Sequence, residues 1–212
     1  MPEILKIDGD NSEEAVLSRA VEILTAGGVI AYPTETFYGL GVDAANEKAI
    51  RKIYDIKGRN FTNPISVIID CEKNLFPLVE EVPARALKLM QSFWPGPLTI
   101  VFKAAAETSP LLTAQTGKIG VRVSSNACAM NMARNLGHPL TATSANLSGA
   151  PECSTAFEVI GQIGNKIDAV VDWGKTAGGK GSTIIDVTSD PPQILREGVI
   201  SRPCLATYGN FL

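Results

Sequence analysis

The chain has 212 residues, 45% of them hydrophobic and 19% charged, which is enough apolar sequence to build a full core. Its formal net charge of −3 argues against a protein that mainly holds a nucleic-acid backbone, because such proteins carry a basic excess. No basic segment with a following apolar run opens the chain, and no apolar stretch reaches the ~18 residues of a membrane helix. We therefore expect a cytoplasmic protein with no membrane partner.

Helical and strand patterns alternate along the chain. Residues 12–26 place apolar side chains at helical spacing, with Asn11 as the expected N-cap and Gly27 as the stop. Four further segments have helical spacing: 47–56, 83–92, 125–136 and 155–161. Six short apolar runs bounded by Gly, Pro, Asp or Asn predict strands: GVIAYP, PISVIID, LTIVFK, IGVRV, AVVDW and STIIDV. This alternation predicts an α/β layered fold, and no domain boundary interrupts residues 1–212.

Two glycine-rich segments imitate known nucleotide-binding motifs. GLGVDA at 39–44 satisfies GxGxxA, but no helix runs directly out of it, so the match is weak evidence for a dinucleotide site. GKTAGGKGST at 174–183 nearly spells a P-loop, yet Gly181 stands where a hydroxyl should bind magnesium, and a predicted strand follows. We expect this second segment to be a flexible connection or a lid.

The residues available for metal binding and for nucleophilic catalysis are few. His138 is the single histidine and precedes a proline, so we interpret it as a turn residue without a catalytic role. The four cysteines are scattered without a CxxC pair, which favours buried thiols over a zinc site or disulfides. No dedicated metal site is expected, and Mg²⁺ carried by a phosphate substrate needs none. The remaining possibility is an enzyme that acts by positioning its substrates and by stabilising charge, without a nucleophile or a metal site of its own.

Two cations flank a predicted helix end. Lys57 closes the helix over 47–56, Gly58 can adopt the left-handed conformation after it, and Arg59 follows. Cations at a helix C-terminus also stabilise it by ~0.3–1 kcal/mol through the helix dipole, so a purely structural interpretation stays open.

Polar residues follow the first predicted strand. PTETFYGLG at 33–41 offers Thr34, Thr36 and Tyr38 on an extended, glycine-broken segment, and strand ends beside loops are where α/β proteins build ligand sites. A polar turn satisfied by its own hydroxyls explains PTET equally well. In TATSANLSGAP at 141–151, strand alternation would place Ser144 and Asn146 on one face, where both could address one ligand.

The order of these short segments resembles one family. PTETFYGLG, KGR followed by NP, SAN followed by SG, STIID and ILREG span residues 33–198 and are similar to the successive blocks of the YrdC-type threonylcarbamoyl-AMP synthases. The resemblance implies a twisted, open, mixed parallel and antiparallel sheet with flanking helices and a concave cavity. This chain is similar to the short, single-domain form.

The resemblance also implies an activity and partners. The family condenses L-threonine, bicarbonate and ATP into threonylcarbamoyl-AMP and releases pyrophosphate. A partner enzyme then transfers the threonylcarbamoyl group to the adenosine beside the anticodon, so tRNA is a further candidate partner. ATP would be a substrate, accompanied by Mg²⁺.

The family pattern carries roles over to single residues. The hallmark pairs, expected to be catalytic, are Lys57 with Arg59 and Ser144 with Asn146. The residues expected to bind ATP are Arg59, Asn63, Ser144, Asn146 and Arg196. The residues expected to bind threonine are Thr36, Arg122 and Ser182, with Thr34 and Tyr38 beside them. Some relatives place a histidine near the amino-acid pocket where this chain has Ile68, so that contact is not expected here.

Two alternatives remain. The related YciO-type group resembles the same fold but lacks the lysine–arginine and serine–asparagine pairs. The second alternative is a non-enzymatic RNA-binding module. It is disfavoured because the chain is acidic, which weakens binding of the RNA backbone, and because only 6% of its residues are aromatic, which limits base stacking.

Overall fold

A computed structural model describes residues 1–7, 12–58 and 63–212. The strands are β1 (Glu3–Lys6), β2 (Ile30–Pro33), β3 (Tyr38–Gly41), β4 (Val67–Ile69), β5 (Leu98–Lys103), β6 (Lys118–Val123), β7 (Leu140–Thr141), β8 (Thr143–Ser144), β9 (Ala169–Asp172), β10 (Thr183–Asp186) and β11 (Gln193–Arg196). The helices are α1 (Glu13–Thr25), α2 (Glu47–Lys57), α3 (Ala84–Phe93), α4 (Pro110–Thr113), α5 (Ala127–Leu136), α6 (Ala156–Ile163) and α7 (Arg202–Leu205). Three 3₁₀ segments cover Glu72–Leu78, Gly164–Lys166 and Ala206–Tyr208.

The strands form two sheets rather than one. The first has the order β1-β9-β2-β3-β8 and the second the order β11-β10-β5-β6-β4-β7. Both mix parallel pairs, such as β1 with β9 and β5 with β10, and antiparallel pairs, such as β2 with β3 and β5 with β6. The expected mixed pairing with flanking helices is therefore confirmed. The chain crosses from the second sheet to the first between β7 and β8, so the two sheets meet there.

The helices begin and end where their capping residues allow. The side chain of Ser12 accepts a hydrogen bond from the amide of Ala15 at the start of α1, so Ser12 is the N-cap and the prediction of Asn11 was wrong; Asn11 itself lies outside the described residues. Gly58 ends α2 in the left-handed conformation with φ 60°, as expected from its sequence position. The predicted helices are confirmed to within two residues at each end.

The GLG segment is a strand, not a dinucleotide turn. Gly39 and Gly41 lie in β3, and a Cβ added to either would come within 2.6–3.0 Å of the ring of Tyr32 on the neighbouring strand β2. The ring is fully buried, and its hydroxyl donates to the carbonyl oxygen of Thr141 at 2.8 Å. Glycine is required at these positions because an aromatic ring covers the strand.

The hydrophobic side chains pack into two clusters. The larger lies around the second sheet with α2, α3 and α6, and the smaller packs α1 and α5 against the first sheet. Ile68 belongs to the smaller cluster and is fully buried. Within residues 1–7, 12–58 and 63–212, no helix has the length and apolar character needed to cross a bilayer.

The cysteines and the histidine fit the sequence interpretation only in part. All four cysteines are free, but only Cys128 and Cys153 are buried, whereas Cys204 is exposed. His138 is half-exposed, and its Nδ1 lies 3.2 Å from the carboxylate of Asp43. The prediction of four buried thiols was therefore wrong at the exposed cysteine.

Candidate functional site

A cavity of about 250 Å³ lies between the two sheets. The first sheet contributes the turn between β2 and β3 together with β8, and the second contributes side chains from β5, β6, β10 and β11. Seven residues predicted from sequence line it: Thr34, Thr36, Tyr38, Arg122, Ser144, Ser182 and Arg196. The other described residues in the lining are Phe37, Gly39, Pro64, Ser66, Thr99, Ala142, Thr143, Glu152, Gly181 and Ile184. Hydroxyls and two guanidinium groups therefore dominate its chemistry.

The turn between β2 and β3 uses its own hydroxyls and also faces the cavity. The Oγ1 of Thr34 donates to the carbonyl oxygen of Phe37 at 2.7 Å and accepts from the amide of Thr36 at 3.2 Å. Both threonines are buried, and their hydroxyls lie 3.1 Å apart. The local bonds fix the turn, and the fixed turn presents threonine side chains to the cavity. That these hydroxyls bind a ligand stays a prediction.

Tyr38 ties this wall to the glycine-rich segment at 174–181. Its hydroxyl donates to the carbonyl oxygen of Gly174 at 2.8 Å, and the amide of Gly178 donates to the carbonyl oxygen of Thr36 at 2.8 Å. Burial raises the pKa of Tyr38, with the carboxylate of Asp172 adding to the shift, so the phenol is a neutral donor at physiological pH.

Lys57 lies behind the cavity wall and not in it. Its side chain is almost completely buried, and its ammonium group donates to the main-chain oxygens of Ser144 and Asn146 at 2.7 and 2.8 Å. It also donates to the hydroxyl of Ser144 at 3.2 Å and to the amide oxygen of Asn146 at 2.8 Å. Ser144 in turn donates to the same amide oxygen at 2.6 Å. The lysine at the end of α2 therefore organises the bend after β8, which a merely decorative helix-end cation would not do.

Strand alternation alone does not bring Ser144 and Asn146 together. β8 ends at Ser144, and Asn146 lies in the bend that follows, where its Nδ2 donates to the carbonyl oxygen of Ala150 at 2.5 Å. Of the two, only Ser144 lines the described cavity wall. The bend, held by Lys57, is what joins them.

Besides Asn146, two residues expected to bind ATP are not among the described lining residues. Arg59 lies outside the described residues. Asn63 is exposed, and its carbonyl oxygen accepts from the hydroxyl of Tyr54 at 3.1 Å; it is not among the described residues that line the cavity. Their expected roles stay predictions.

The far wall depends on a close backbone contact. Arg196 donates from Nε to the carbonyl oxygen of Ser182 at 3.0 Å and from Nη2 to its hydroxyl at 3.1 Å. A Cβ at Gly198 would collide with the carbonyl oxygen of Gly181 and the backbone of Ser182. Glycine after RE in ILREG is thus required for β11 to bring its arginine against Ser182. Burial lowers the pKa of Arg196, and the positive charge of Arg122 acts in the same direction.

Several cavity residues carried no recognisable signal in the sequence. Thr99 on β5 is buried with its hydroxyl 3.0 Å from that of Ser182, and Ser66 and Glu152 also line the wall. Glu35, at the tip of the β2–β3 turn, forms an ion pair with Arg122 at 3.7 Å. Inward-facing alternation along LTIVFK could have indicated Thr99, whereas the others depend on tertiary contacts that a single sequence does not show. Within the described ranges, no cluster of three or more His, Cys, Asp or Glu side chains is arranged to hold a metal ion.

Comparison with protein families gives a match over residues 22–198 to the model Sua5_yciO_yrdC, described as "Telomere recombination". A protein of Pyrococcus abyssi named threonylcarbamoyl-AMP synthase is 36% identical over 186 residues, which is 88% of this chain and 55% of the relative. A protein of the same name from Vibrio cholerae is 42% identical over 185 residues, which is 86% of this chain and 97% of the relative. The chain thus spans about half the length of the first relative and nearly all of the second.

Solved structures give the same grouping. The chain is similar to P. abyssi Sua5 complexed with L-threonine, with a TM-score of 0.93 and 31% identity over 100% of this chain and 62% of that one. It is also similar to Escherichia coli YciO, with a TM-score of 0.84 and 30% identity over 94% of this chain and 97% of that one. The sequence match covers most of the chain, and the sheets and cavity agree with it: the chain belongs to the Sua5/YciO/YrdC family.

Proposed function

We propose that the protein synthesises threonylcarbamoyl-AMP from L-threonine, bicarbonate and ATP and releases pyrophosphate. The observation that carries this proposal is a hydroxyl-rich cavity lined by two arginines, the buried Arg122 and the more exposed Arg196, beside a serine–asparagine bend held by a buried lysine. Such a cavity suits a substrate that carries a carboxylate and a phosphate together, because guanidinium groups bind both anions through paired N–H donors.

The comparisons support this assignment over a different use of the same cavity. The V. cholerae relative, matched over 97% of its own length, is named threonylcarbamoyl-AMP synthase. The P. abyssi Sua5 structure, with a TM-score of 0.93, was determined with L-threonine. Both facts belong to those proteins, and we extend them to this chain because it carries the lysine–arginine and serine–asparagine pairs of the synthase pattern at Lys57, Arg59, Ser144 and Asn146.

The reaction depends more on charged groups and hydrogen-bond donors held in position than on a strong acid or base. An oxygen of the threonylcarbamoyl group forms a bond to the α-phosphorus of ATP, and the bond to the departing pyrophosphate breaks, so negative charge moves onto the leaving group. Fixed donors aimed at phosphate oxygens stabilise that shift. Arg196, Ser144, Asn146, Asn63 and Arg59 would bind the nucleotide in this scheme.

A second set of residues would bind the amino acid. Arg122 would pair with the threonine carboxylate, and the hydroxyls of Ser182, Thr34 and Thr36 would contact its polar groups, with Tyr38 holding the turn that carries the threonines. Lys57 would act by fixing Ser144 and Asn146, since its three N–H donors lie within hydrogen-bond distance of four of their oxygens.

The remaining partners follow from the proposed product. An enzyme that transfers the threonylcarbamoyl group to tRNA would consume this product, and we infer a cytoplasmic location from that proposed partnership. Mg²⁺ would arrive with ATP and not at a protein site of its own.

The test is pyrophosphate release from purified protein with ATP, Mg²⁺, bicarbonate and a panel of amino acids. We expect release that requires threonine and bicarbonate together, with serine a poorer substrate by ~10–200-fold because it lacks the methyl group. Release with ATP alone, or equal use of all amino acids, contradicts the proposal. No release under any condition favours the YciO-type alternative.

A further inference from the structure

An ion pair joins the two sheets directly behind the cavity wall. Glu35 lies at the tip of the turn between β2 and β3 in the first sheet, and Arg122 lies near the end of β6 in the second. Their side chains are 13% and 7% exposed, and Nη1 of Arg122 lies 3.7 Å from Oε1 of Glu35. The hydroxyl of Ser124, just beyond β6, donates to the other carboxylate oxygen of Glu35.

The geometry of this pair is unusual. Oε1 of Glu35 and Nε of Arg122 are buried, and in the part of the chain that the structure describes they are the buried side-chain atoms without a hydrogen-bond partner. Both belong to the same ion pair, which is therefore close enough for electrostatic attraction but not closed by a hydrogen bond. The carboxylate restrains the guanidinium without using up its donors.

Only one member of the ion pair lines the cavity. Arg122 lines it, whereas Glu35 is not among the described lining residues. Glu35 would therefore act on a bound ligand indirectly, and Arg122 is the cavity residue that its carboxylate faces. Arg122 also shares the cavity with the positively charged Arg196, and two guanidinium groups repel each other unless a counter-charge lies behind one of them.

We propose that Glu35 is a positioning residue for the amino-acid substrate. Its carboxylate, anchored by Ser124, fixes the guanidinium of Arg122 against the repulsion of Arg196 so that Arg122 can bind the substrate carboxylate. This inference rests on the proposed function and adds to it a residue that does not touch the substrate. It predicts a selective effect on amino-acid binding, which a general structural role would not produce.

The test compares Glu35→Gln with the wild-type protein. Glutamine keeps the shape and an oxygen that can accept from Ser124, but it removes the charge that holds Arg122. We expect the KM for L-threonine, and its Kd from calorimetric titration without ATP, to rise on the order of tenfold, as for other coupled charged neighbours. The KM for ATP and the melting temperature should change little.

Two further variants define the control and the coupling. Glu22→Gln removes a carboxylate that pairs with Arg19 on the exposed face of α1, where the Glu22 side chain is 62% exposed, and it should leave threonine binding unchanged. In an Arg122→Lys background, Glu35→Gln should add little to the loss already present, because the residue through which it acts has changed.

The outcomes separate the two proposals. Unchanged or tighter threonine binding by Glu35→Gln, an equal rise in the KM for ATP, or full additivity with Arg122→Lys would overturn the role of Glu35. Absence of pyrophosphate release by the wild type would overturn the proposed function alone, because the calorimetric titration of threonine needs no turnover. A wild-type protein that does not bind threonine overturns both.

Discussion

The ammonium nitrogen of Lys57 lies 2.8 Å from the side-chain oxygen and 2.8 Å from the main-chain oxygen of Asn146. This contact fastens the last residue of α2 to the bend that follows β8, 89 positions later in the chain. The lysine is buried, and hydrogen bonds to neutral oxygens of the chain replace the water that would otherwise solvate its charge. Its removal therefore affects both the fold and the site.

Replacing Lys57 by methionine should destabilise the protein as well as inactivate it. From sequence alone, such a substitution is expected to spare folding, because a helix-end cation contributes at most about 1 kcal/mol. Burial reverses that expectation, since several charge-assisted hydrogen bonds are lost at once; we expect a loss on the order of 2–3 kcal/mol in the free energy of unfolding. Urea denaturation measures this loss in the free energy of unfolding. Lys48→Met, on the exposed face of the same helix, is the control. Equal stability of the two variants would contradict this role.

Ser144→Ala should separate activity from stability. The hydroxyl donates to Asn146 at 2.6 Å and belongs to a residue that lines the cavity, so its loss removes a polar group of the wall and the bond that orients Asn146 while leaving the main-chain contacts with Lys57 intact. We expect the pyrophosphate release rate to fall on the order of 10²–10³-fold with a stability loss of about 1 kcal/mol. Steady-state kinetics and thermal unfolding check both. Ser18→Ala, on the exposed side of α1, is the matched control, and an active Ser144→Ala protein would remove this serine from the proposed site.

Two glycine-to-alanine substitutions should have opposite effects. At Gly198 the added methyl group meets the backbone of Gly181 and Ser182, so the wall that carries Arg196 must move; we expect a loss of roughly 1–3 kcal/mol and weaker substrate binding. At Gly161, inside α6, the methyl group meets no atom within 4 Å, so alanine should stabilise the helix by about 0.5–1 kcal/mol. Differential scanning calorimetry measures the change in stability of each variant relative to the wild type. A change of the same sign in both variants would contradict the steric explanation.

A buried carboxylate in β10 should make the stability depend on pH. Burial would raise the pKa of Asp186, but the hydrogen bonds that it accepts from Lys118 and Thr188 outweigh burial and lower it below its ordinary value. A carboxylate with a lowered folded pKa stabilises the fold above its unfolded pKa, and this contribution disappears as the pH falls through the folded value. Lys118→Met should therefore be less stable than the wild type at neutral pH, and the difference should shrink in acid. Melting curves recorded from neutral to acidic pH test this prediction, with Lys88→Met as the control. A stability difference that persists in acid would contradict the role of the Lys118–Asp186 ion pair.

The glycine-rich segment at 174–181 should become more protected when substrates bind. Hydrogen bonds to the rest of the protein hold it at separate points: Gly174 accepts from Tyr38, Thr176 donates to the carbonyl oxygen of Ser154, Gly178 donates to that of Thr36, and Gly181 accepts from Val199. Glycines with positive φ at 174, 178 and 179 leave the backbone between these contacts easy to rearrange. We expect hydrogen exchange in this segment to slow on addition of ATP and threonine. Unchanged exchange would contradict a covering role.

The sequence predicts the elements of this fold better than their arrangement. Strong periodicity located α2, α5 and β5 because each buries one face in a continuous core. It did not reveal β1, β7 or β11, and it interpreted the segments that form β3 and β8 only as extended chain next to a turn. The division into two sheets follows from long-range pairing, and no local pattern encodes that pairing.

The sequence predicted only part of the candidate site. Family resemblance identified Thr34, Arg122 and Arg196, which the fold brings into one cavity. It placed Lys57 among the groups that face phosphate, whereas the structure puts its ammonium group behind Ser144. Glu35 was missed because its importance depends on a strand 87 positions away, and no spacing in the sequence indicates that contact.

The crossed order of the strands also has a kinetic consequence. β10 enters its sheet beside β5, with Thr183 opposite Leu98, and β11, which follows β10 in the chain, carries Arg196. Before that pairing forms, β5 is an open sheet edge and the cavity lacks one wall. Contacts between distant parts of a chain form slowly, because loop closure comes before any gain from pairing. A nascent chain should therefore be vulnerable to aggregation and proteolysis, and unable to bind ligand, until β10 and β11 have left the ribosome and paired with β5.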